Sequence, residues 1–225
     1  CRAIEADPAT ELVAKVDIGD SLGLLTEAAV EVVVDFTVLS VGRETMMFAA
    51  ANGIHAVVGT TGFSDEDLAG FRAAFTSSNA LIAPNFAIGA VLMVRFAELA
   101  APHFDTAEIV EIHHDKKVDA PSGTATHTAE RMAAASTEWA DDPTTHQIYE
   151  GARGGVGPGE IHVHSVRMRG AVANQEVILG TTGQTLTIRH DTIDRTSFMP
   201  GVLIGVKNVA NHTGVTVGLD TYLGL

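Results

Sequence analysis

From residue 11 onward, the chain alternates short, nearly unbroken apolar runs with longer stretches whose apolar positions recur at helical spacing. ELVAKVD (11–17), VEVVVDFT (30–37), IHAVVGT (54–60) and ALIAP (80–84) have the β-branched, continuous character of parallel strands covered on both faces. Between them, 41–52 predicts a helix closed by Gly53. Ser64, with Asp67 three residues later, predicts the start of the next helix through a capping box. This rhythm implies an α/β fold built on a doubly wound, Rossmann-like parallel sheet.

The rhythm changes after a helical pattern over 87–101. EIVEIHH (108–114) predicts a strand and TATHTAERMAAA (124–135) a helix. A glycine-rich polar stretch (151–160) then leads into three strand-like runs, IHVHSVRMR, NQEVILG and TLTIRHD. Successive strands joined by short turns imply antiparallel or mixed pairing. The expected organisation is therefore a dinucleotide-binding domain over 1–86 and a second, α+β domain with a mixed sheet over 87–196. A C-terminal segment, 197–225, opens with the helical pattern SFMPGVLIGVKNVAN and is expected to pack back on the first domain. GTTG occurs at 59–62 and again at 180–183. The first copy follows a parallel-type strand and precedes a helix, where open α/β sheets bind ligands, whereas the second reads as a hairpin turn.

Charge narrows the partners. With 28 acidic against 14 basic residues the formal net charge is −14, which disfavours nucleic acid and anionic membrane. No apolar run reaches the roughly 18–20 residues of a membrane span. One cysteine, Cys1, excludes an intramolecular disulfide and fits a reducing, cytoplasmic setting. In so acidic a chain, an anionic small molecule needs a local positive pocket. Two of the four lysines, Lys116 and Lys117, stand together in HHDKKVDAPSGT (113–124).

In that stretch Pro121 ends the preceding strand and Ser122, Gly123 and Thr124 open a helix. A helix N-terminus offers free N–H groups and the positive end of its dipole, a cradle for a carboxylate, although Ser and Thr also serve there simply as caps. His113 and His114 titrate near neutrality and suit proton transfer. A metal would need Asp115 or His127 as a further ligand beside two repelling lysines, so none is expected. His162 and His164, an H-x-H pair, read as histidines facing solvent or the sheet. Three strand ends, DFT (35–37), GTTG (59–62) and APNF (83–86), fall at one carboxyl edge of the first sheet and together suit a nucleotide, while the plainer reading leaves turn glycines and a capping Asn85. Asp17 ends the first visible strand, where dinucleotide-binding folds place a ribose-binding carboxylate about 20 residues after a glycine fingerprint. Counting back that far passes Cys1, so the first strand and the glycine-rich loop are expected to be missing from the sequence.

The signature His-His-x-x-Lys-x-Asp-Ala-Pro-Ser-Gly-Thr, with VVDFT, HAVVGTTGF, IAPNFAIGAVL, GQTLTIRHD and DRTSFMPGV, resembles the bacterial dihydrodipicolinate reductase (4-hydroxy-tetrahydrodipicolinate reductase) family nearly end to end. The resemblance implies NADH- or NADPH-dependent reduction of a cyclic, unsaturated dicarboxylate imine to tetrahydrodipicolinate in diaminopimelate and lysine biosynthesis. It implies His113 as proton donor or acceptor, Lys117 as proton donor, His114, Gly123 and Thr124 as substrate-binding residues, and Ser122 as a carboxylate contact. It places Gly59, Thr60, Thr61, Ala83, Pro84, Asn85 and Phe86 at the nicotinamide half of the cofactor and Asp17 at the adenine ribose. It also implies a homotetramer. No role passes to Lys116. Ile18, in place of a basic residue that would meet a 2′-phosphate, leans toward NADH. The alternatives are a reductase-like binding protein without cofactor, a histidine-metal hydrolase, and a related oxidoreductase acting on another imine.

Overall fold

The computed structural model describes all 225 residues. In chain order it runs α1 (Arg2–Ala6), α2 (Gly23–Glu27), β1 (Val32–Asp35), α3 (Leu39–Ala51), β2 (His55–Val58), α4 (Asp65–Ala74), β3 (Ala80–Ile82), α5 (Ile88–Ala100), β4 (Thr106–His113), α6 (Gly123–Ala135), β5 (Gly155–Val156), β6 (His162–Arg167), β7 (Ala173–Thr181), β8 (Gln184–Thr192), α7 (Met199–Asn208) and β9 (Val215–Val217). The chain folds as two units, Cys1–Phe86 with Phe198–Leu225, and Ala87–Ser197. No helix is long and apolar enough to cross a membrane.

The first unit is the expected α/β layer structure, a wholly parallel sheet in the order β1-β2-β3-β9. Ala56, Val57, Val58, Ala80 and Leu81 are fully buried, which is why these strands read as unbroken apolar runs. The capping box forms: Ser64 Oγ accepts from the Asp67 N–H at 3.2 Å and Asp67 Oδ2 accepts from the Ser64 N–H at 2.8 Å. Arg43 of α3 then donates twice to the Asp67 carboxylate, at 2.7 Å each, joining two successive helices. Strand β9, three residues long and not expected from the sequence, is held by Asn79. The Asn79 amide donates to the Val209 and Ala210 carbonyls and its oxygen accepts from the Gly214 N–H. Helix α7 approaches through glycines one turn apart. A Cβ at Gly201 would lie 2.1 Å from the Phe86 carbonyl oxygen, and one at Gly205 would lie 2.8 Å from Leu81 Cδ2.

One expected strand is absent. ELVAKVD (11–17) enters no ladder, Val13 and Val16 are exposed, and only alternate residues such as Ala14 lean on the core. A β run becomes a strand only where a neighbour takes its N–H and C=O groups, and β1 is bonded to β2 alone.

The second unit carries a mixed five-stranded sheet in the order β5-β6-β4-β7-β8, parallel only between β4 and β6. One face is covered by α5 and α6. Ile109, Val163, Val177 and Leu179 pack there against Ala97, Ala125, Ala129 and Met132, the alanines letting the helices come close. Gln175 Nε2 donates to Thr128 Oγ1 at 2.8 Å and fixes α6 over β7. The second GTTG is a hairpin turn joining β7 to β8, with Gly183 at φ +79°, a left-handed conformation that favours glycine. His164 bonds Glu108 at 2.7 Å and His162 lies 3.1 Å from Asp142, while Arg153 spans both carboxylates. This H-x-H pair anchors a loop to the sheet.

Gly201→Ala should destabilise the protein by about 1–3 kcal/mol, because the new methyl meets a backbone carbonyl that cannot swing aside. Thermal unfolding reads this as a lowered midpoint; an unchanged midpoint would contradict the close approach of α7.

Candidate active site

In the first unit, strand register sets the geometry. Asp35, Val58 and Ile82 are partners across β1, β2 and β3, so the segments that follow them emerge level at one carboxyl edge. Asp35 is buried, and its Oδ1 accepts from the Thr37 N–H and hydroxyl at 2.9 Å each and from Thr60 Oγ1 at 2.8 Å. One carboxylate thereby orders two of the three loops. A Cβ at Gly59 would sit 2.2 Å from the Phe36 ring, so only glycine permits that ring its place. Phe36 is half exposed and packs on buried Phe86 with ring centroids 5.4 Å apart. Ala83 is buried, its N–H donating to the Val58 carbonyl at 2.9 Å, whereas Thr61 and Pro84 are exposed and Asn85 is intermediate. A strand edge with a bare glycine backbone, ordered hydroxyls and an aromatic face fits the nicotinamide end of a dinucleotide.

Asp17 is placed differently from expectation. It lies in an exposed turn, its N–H donating to Asp20 Oδ2 at 3.0 Å and its Oδ1 accepting from the Ile18 N–H at 2.7 Å. It ends no strand, because the run before it finds no ladder.

In the second unit, alternation along β4 puts Glu111 and His113 on the helix-covered face. Glu111 is fully buried. Arg167, at the end of β6, donates to both its oxygens at 2.8 Å, and the backbone N–H of Ser122 donates to Oε1 at 3.2 Å. His113 Nδ1 meets Oε2. Arg167 also donates to the Asp119 carbonyl at 2.7 Å. A single carboxylate thus joins the ends of two strands, the 114–121 loop and the N-terminus of α6.

Ser122 is the N-cap of α6, its hydroxyl accepting from the Ala125 N–H at 3.2 Å, and Gly123 and Thr124 form the first turn. His114 Nδ1 accepts from the Lys116 N–H at 3.2 Å. Lys117 Nζ donates to both Asp119 oxygens at 2.8 Å, while Asp115 pairs with Arg169 at 3.0 Å. The structure therefore brings together His113, Ser122 and the start of α6, with Lys117 near enough to act electrostatically on His113.

The electrostatics follow from these contacts. Burial opposes ionisation of Glu111, but the hydrogen bonds from Arg167, Ser165 and His113 outweigh it and hold its pKa below the ordinary 4.5. Burial lowers the pKa of His113 below its ordinary 6.5; the Glu111 carboxylate opposes that shift, while Lys117 and Arg167 add to it. Asp119 is lowered chiefly by its bond from Lys117. Sequence reasoning placed Asp35 in the DFT strand end without its hydroxyl partners, and it missed Glu111, Arg167 and His190 on β8, whose imidazole fills the space left by Gly89, where a Cβ would come within 2.6 Å. The one available signal was an acidic residue inside an apolar strand run, in EIVEIHH and VVVDFT.

The family profile described as "Dihydrodipicolinate reductase, N-terminus" matches residues 1–86, and that described as "Dihydrodipicolinate reductase, C-terminus" matches residues 89–223. The chain is 54% identical over 221 residues to a 4-hydroxy-tetrahydrodipicolinate reductase of Corynebacterium aurimucosum, covering 96% of this chain and 89% of the relative. It is 51% identical over 232 residues to that of Nocardia farcinica, covering 100% of this chain and 93% of the relative. A solved dipicolinate-bound dihydrodipicolinate reductase from Paenisporosarcina sp. TG-14 is similar with a TM-score of 0.86 at 36% identity, covering 98% of this chain and 92% of that one.

Because the folded pKa of Glu111 is depressed, its ion pair contributes full stability above the ordinary value of 4.5 and loses it as pH falls through the lower folded value. Melting midpoints followed downward from neutral pH should fall less steeply in Glu111→Gln than in the wild type. Equal slopes would mean that Glu111 is not held ionised by its partners.

Proposed function

The chain belongs to the dihydrodipicolinate reductase family, and on that premise we propose that it reduces 4-hydroxy-tetrahydrodipicolinate (dihydrodipicolinate) to tetrahydrodipicolinate with NADH or NADPH, in diaminopimelate and lysine biosynthesis. The observation that carries this reading is the meeting of a partly buried imidazole, a lysine ammonium and the N-terminus of α6 within a chain of net charge −14. Such a group suits a small dianion that must also receive a proton.

Loss of water from the hydroxylated ring gives a conjugated cyclic imine, which takes up one hydride and one proton. The reduced nicotinamide supplies the hydride when bound. The protein's own tasks are to orient the ring, offset its two carboxylates and move the proton. Gly59, Thr60, Thr61, Ala83, Pro84, Asn85 and Phe86 hold the nicotinamide half along the strand edge. Asp17 is assigned to the adenine ribose on family resemblance alone, and Ile18 beside it favours NADH. His114, Gly123, Thr124 and the Ser122 cap receive the substrate carboxylates at the start of α6, where the positive end of the helix dipole favours an anion. Lys117 donates the proton, and His113 passes or accepts one. Both oxygens of Asp119 hold the Lys117 ammonium, at 2.8 Å each.

The homotetramer rests on the family resemblance: the face of the second sheet opposite α5 and α6 mixes Val110, Ile112 and Ile178 with Glu108, Glu176 and Arg189. Cys1 as the lone, free cysteine agrees with work in a reducing cytoplasm.

Lys117→Ala should lower kcat by roughly 10²–10⁴-fold, the usual weight of a general acid, and leave NADH affinity within about twofold, since Lys117 touches no nucleotide in this scheme. Steady-state turnover and nucleotide titration check both halves. Turnover near the wild-type rate would remove Lys117 from the mechanism.

A further inference from the structure

We propose that Glu111 is a positioning residue: its buried carboxylate fixes the His113 imidazole in the Nδ1–H tautomer and ties it, through Arg167 and the Ser122 backbone N–H, to the helix N-terminus that receives substrate. The kinetic consequence of this proposal rests on the reductase reading; the tether itself does not.

An ionised Glu accepts hydrogen bonds and donates none. Glu111 has no exposed surface, so each oxygen must be met from within. Arg167 supplies two parallel N–H groups and Ser122 a third. These already satisfy an ion pair, yet His113 Nδ1 is seated on the same Oε2. That contact requires a proton on Nδ1. Whether His113 is neutral or an imidazolium, Nε2 is then the nitrogen that gains and loses the proton.

The same carboxylate also sets where His113 stands. Strand alternation places Glu111 and His113 on one face two residues apart, and Arg167 is the residue opposite His113 across β6. Arg167 reaches on to the Asp119 carbonyl, and Asp119 holds Lys117. His113 and Lys117, the two proton-handling residues proposed above, are therefore hung from one hub. The groups facing the imidazole are Glu111 and, as cations, Arg167 from β6 and Lys117 from the loop; Ser165 of β6 and Gln175 of β7 flank Glu111 without charge. With the carboxylate in place, its charge counters those two cations. Without it, they act unopposed and the imidazolium becomes a stronger acid.

Nitrogen-15 NMR of ring-labelled histidine in the intact protein tests this directly. In the wild type, His113 should show a protonated Nδ1 and an Nε2 that titrates; an Nε2–H tautomer would overturn the proposal without recourse to any variant. In Glu111→Gln, the His113 titration should move to lower pH, and the limb of the kcat profile that it governs should move with it. In that variant kcat should fall at least about tenfold while KM for the ring substrate changes less than about threefold. The double variant Glu111→Gln with Arg167→Met removes the buried carboxylate together with its guanidinium partner; it should fold and, with Lys117 still acting on the ring, show the His113 titration displaced in the same direction. A loss of activity in either variant with the His113 pKa and tautomer unchanged would make Glu111 merely structural. A wild type that turns over no ring substrate would count against the reductase reading, and the tautomer measurement would still decide the tether.

Discussion

A carboxylate with no access to water organises the second unit. Removing Glu111 from solvent carries a desolvation penalty of several kcal/mol, recovered only when charge and geometry are both right. The bidentate guanidinium of Arg167 supplies the charge, and the Ser122 N–H and His113 supply the remaining partners. Each partner comes from a different segment: β6, the start of α6 and β4 itself. Meeting the requirement of one side chain thus fixes the strand ends, the turn through Asp119 and the entry of the helix. The side chains of HHDKKVDAPSGT inherit their positions from it.

The first unit uses the same device more lightly. Parallel register brings three strand ends level, and buried Asp35 takes the hydroxyls of Thr37 and Thr60. Parallel sheets converge their loops at the carboxyl edge, so ordering two loops there shapes a surface for a flat ring. Gly59 keeps that surface open, because any side chain would collide with Phe36. In both units the conspicuous residues of the motif are carried by an inconspicuous acid at or near a strand end.

That explains what was legible in the amino-acid sequence. Apolar runs at strand length, the Ser64 capping box and the helical spacing of 124–135 report local periodicity, and the corresponding elements form as expected. ELVAKVD has the right periodicity but no ladder partner, and partnership is not a local property. Strand β9 failed to register for the opposite reason: three residues are too few to show a pattern, and the Asn79 side chain holds them in place from far away in the chain. Glu108 and Glu111 look alike in EIVEIHH. Only the sheet's two faces tell them apart, since Glu108 meets His164 and Arg153, whereas Glu111 meets Arg167 and His113. The motif could be read by resemblance, but the acid that supports it required packing to be seen.

As a member of the dihydrodipicolinate reductase family, this chain moves a hydride from a nicotinamide to a dicarboxylate ring. The most direct measurement supplies NADH deuterated at its transferable position, presents freshly made 4-hydroxy-tetrahydrodipicolinate to the protein, and follows the label by mass spectrometry. Our account predicts one deuterium in the tetrahydrodipicolinate formed and an equal amount of oxidised nucleotide. Label that remains on the nucleotide while the ring is left unreduced would contradict it.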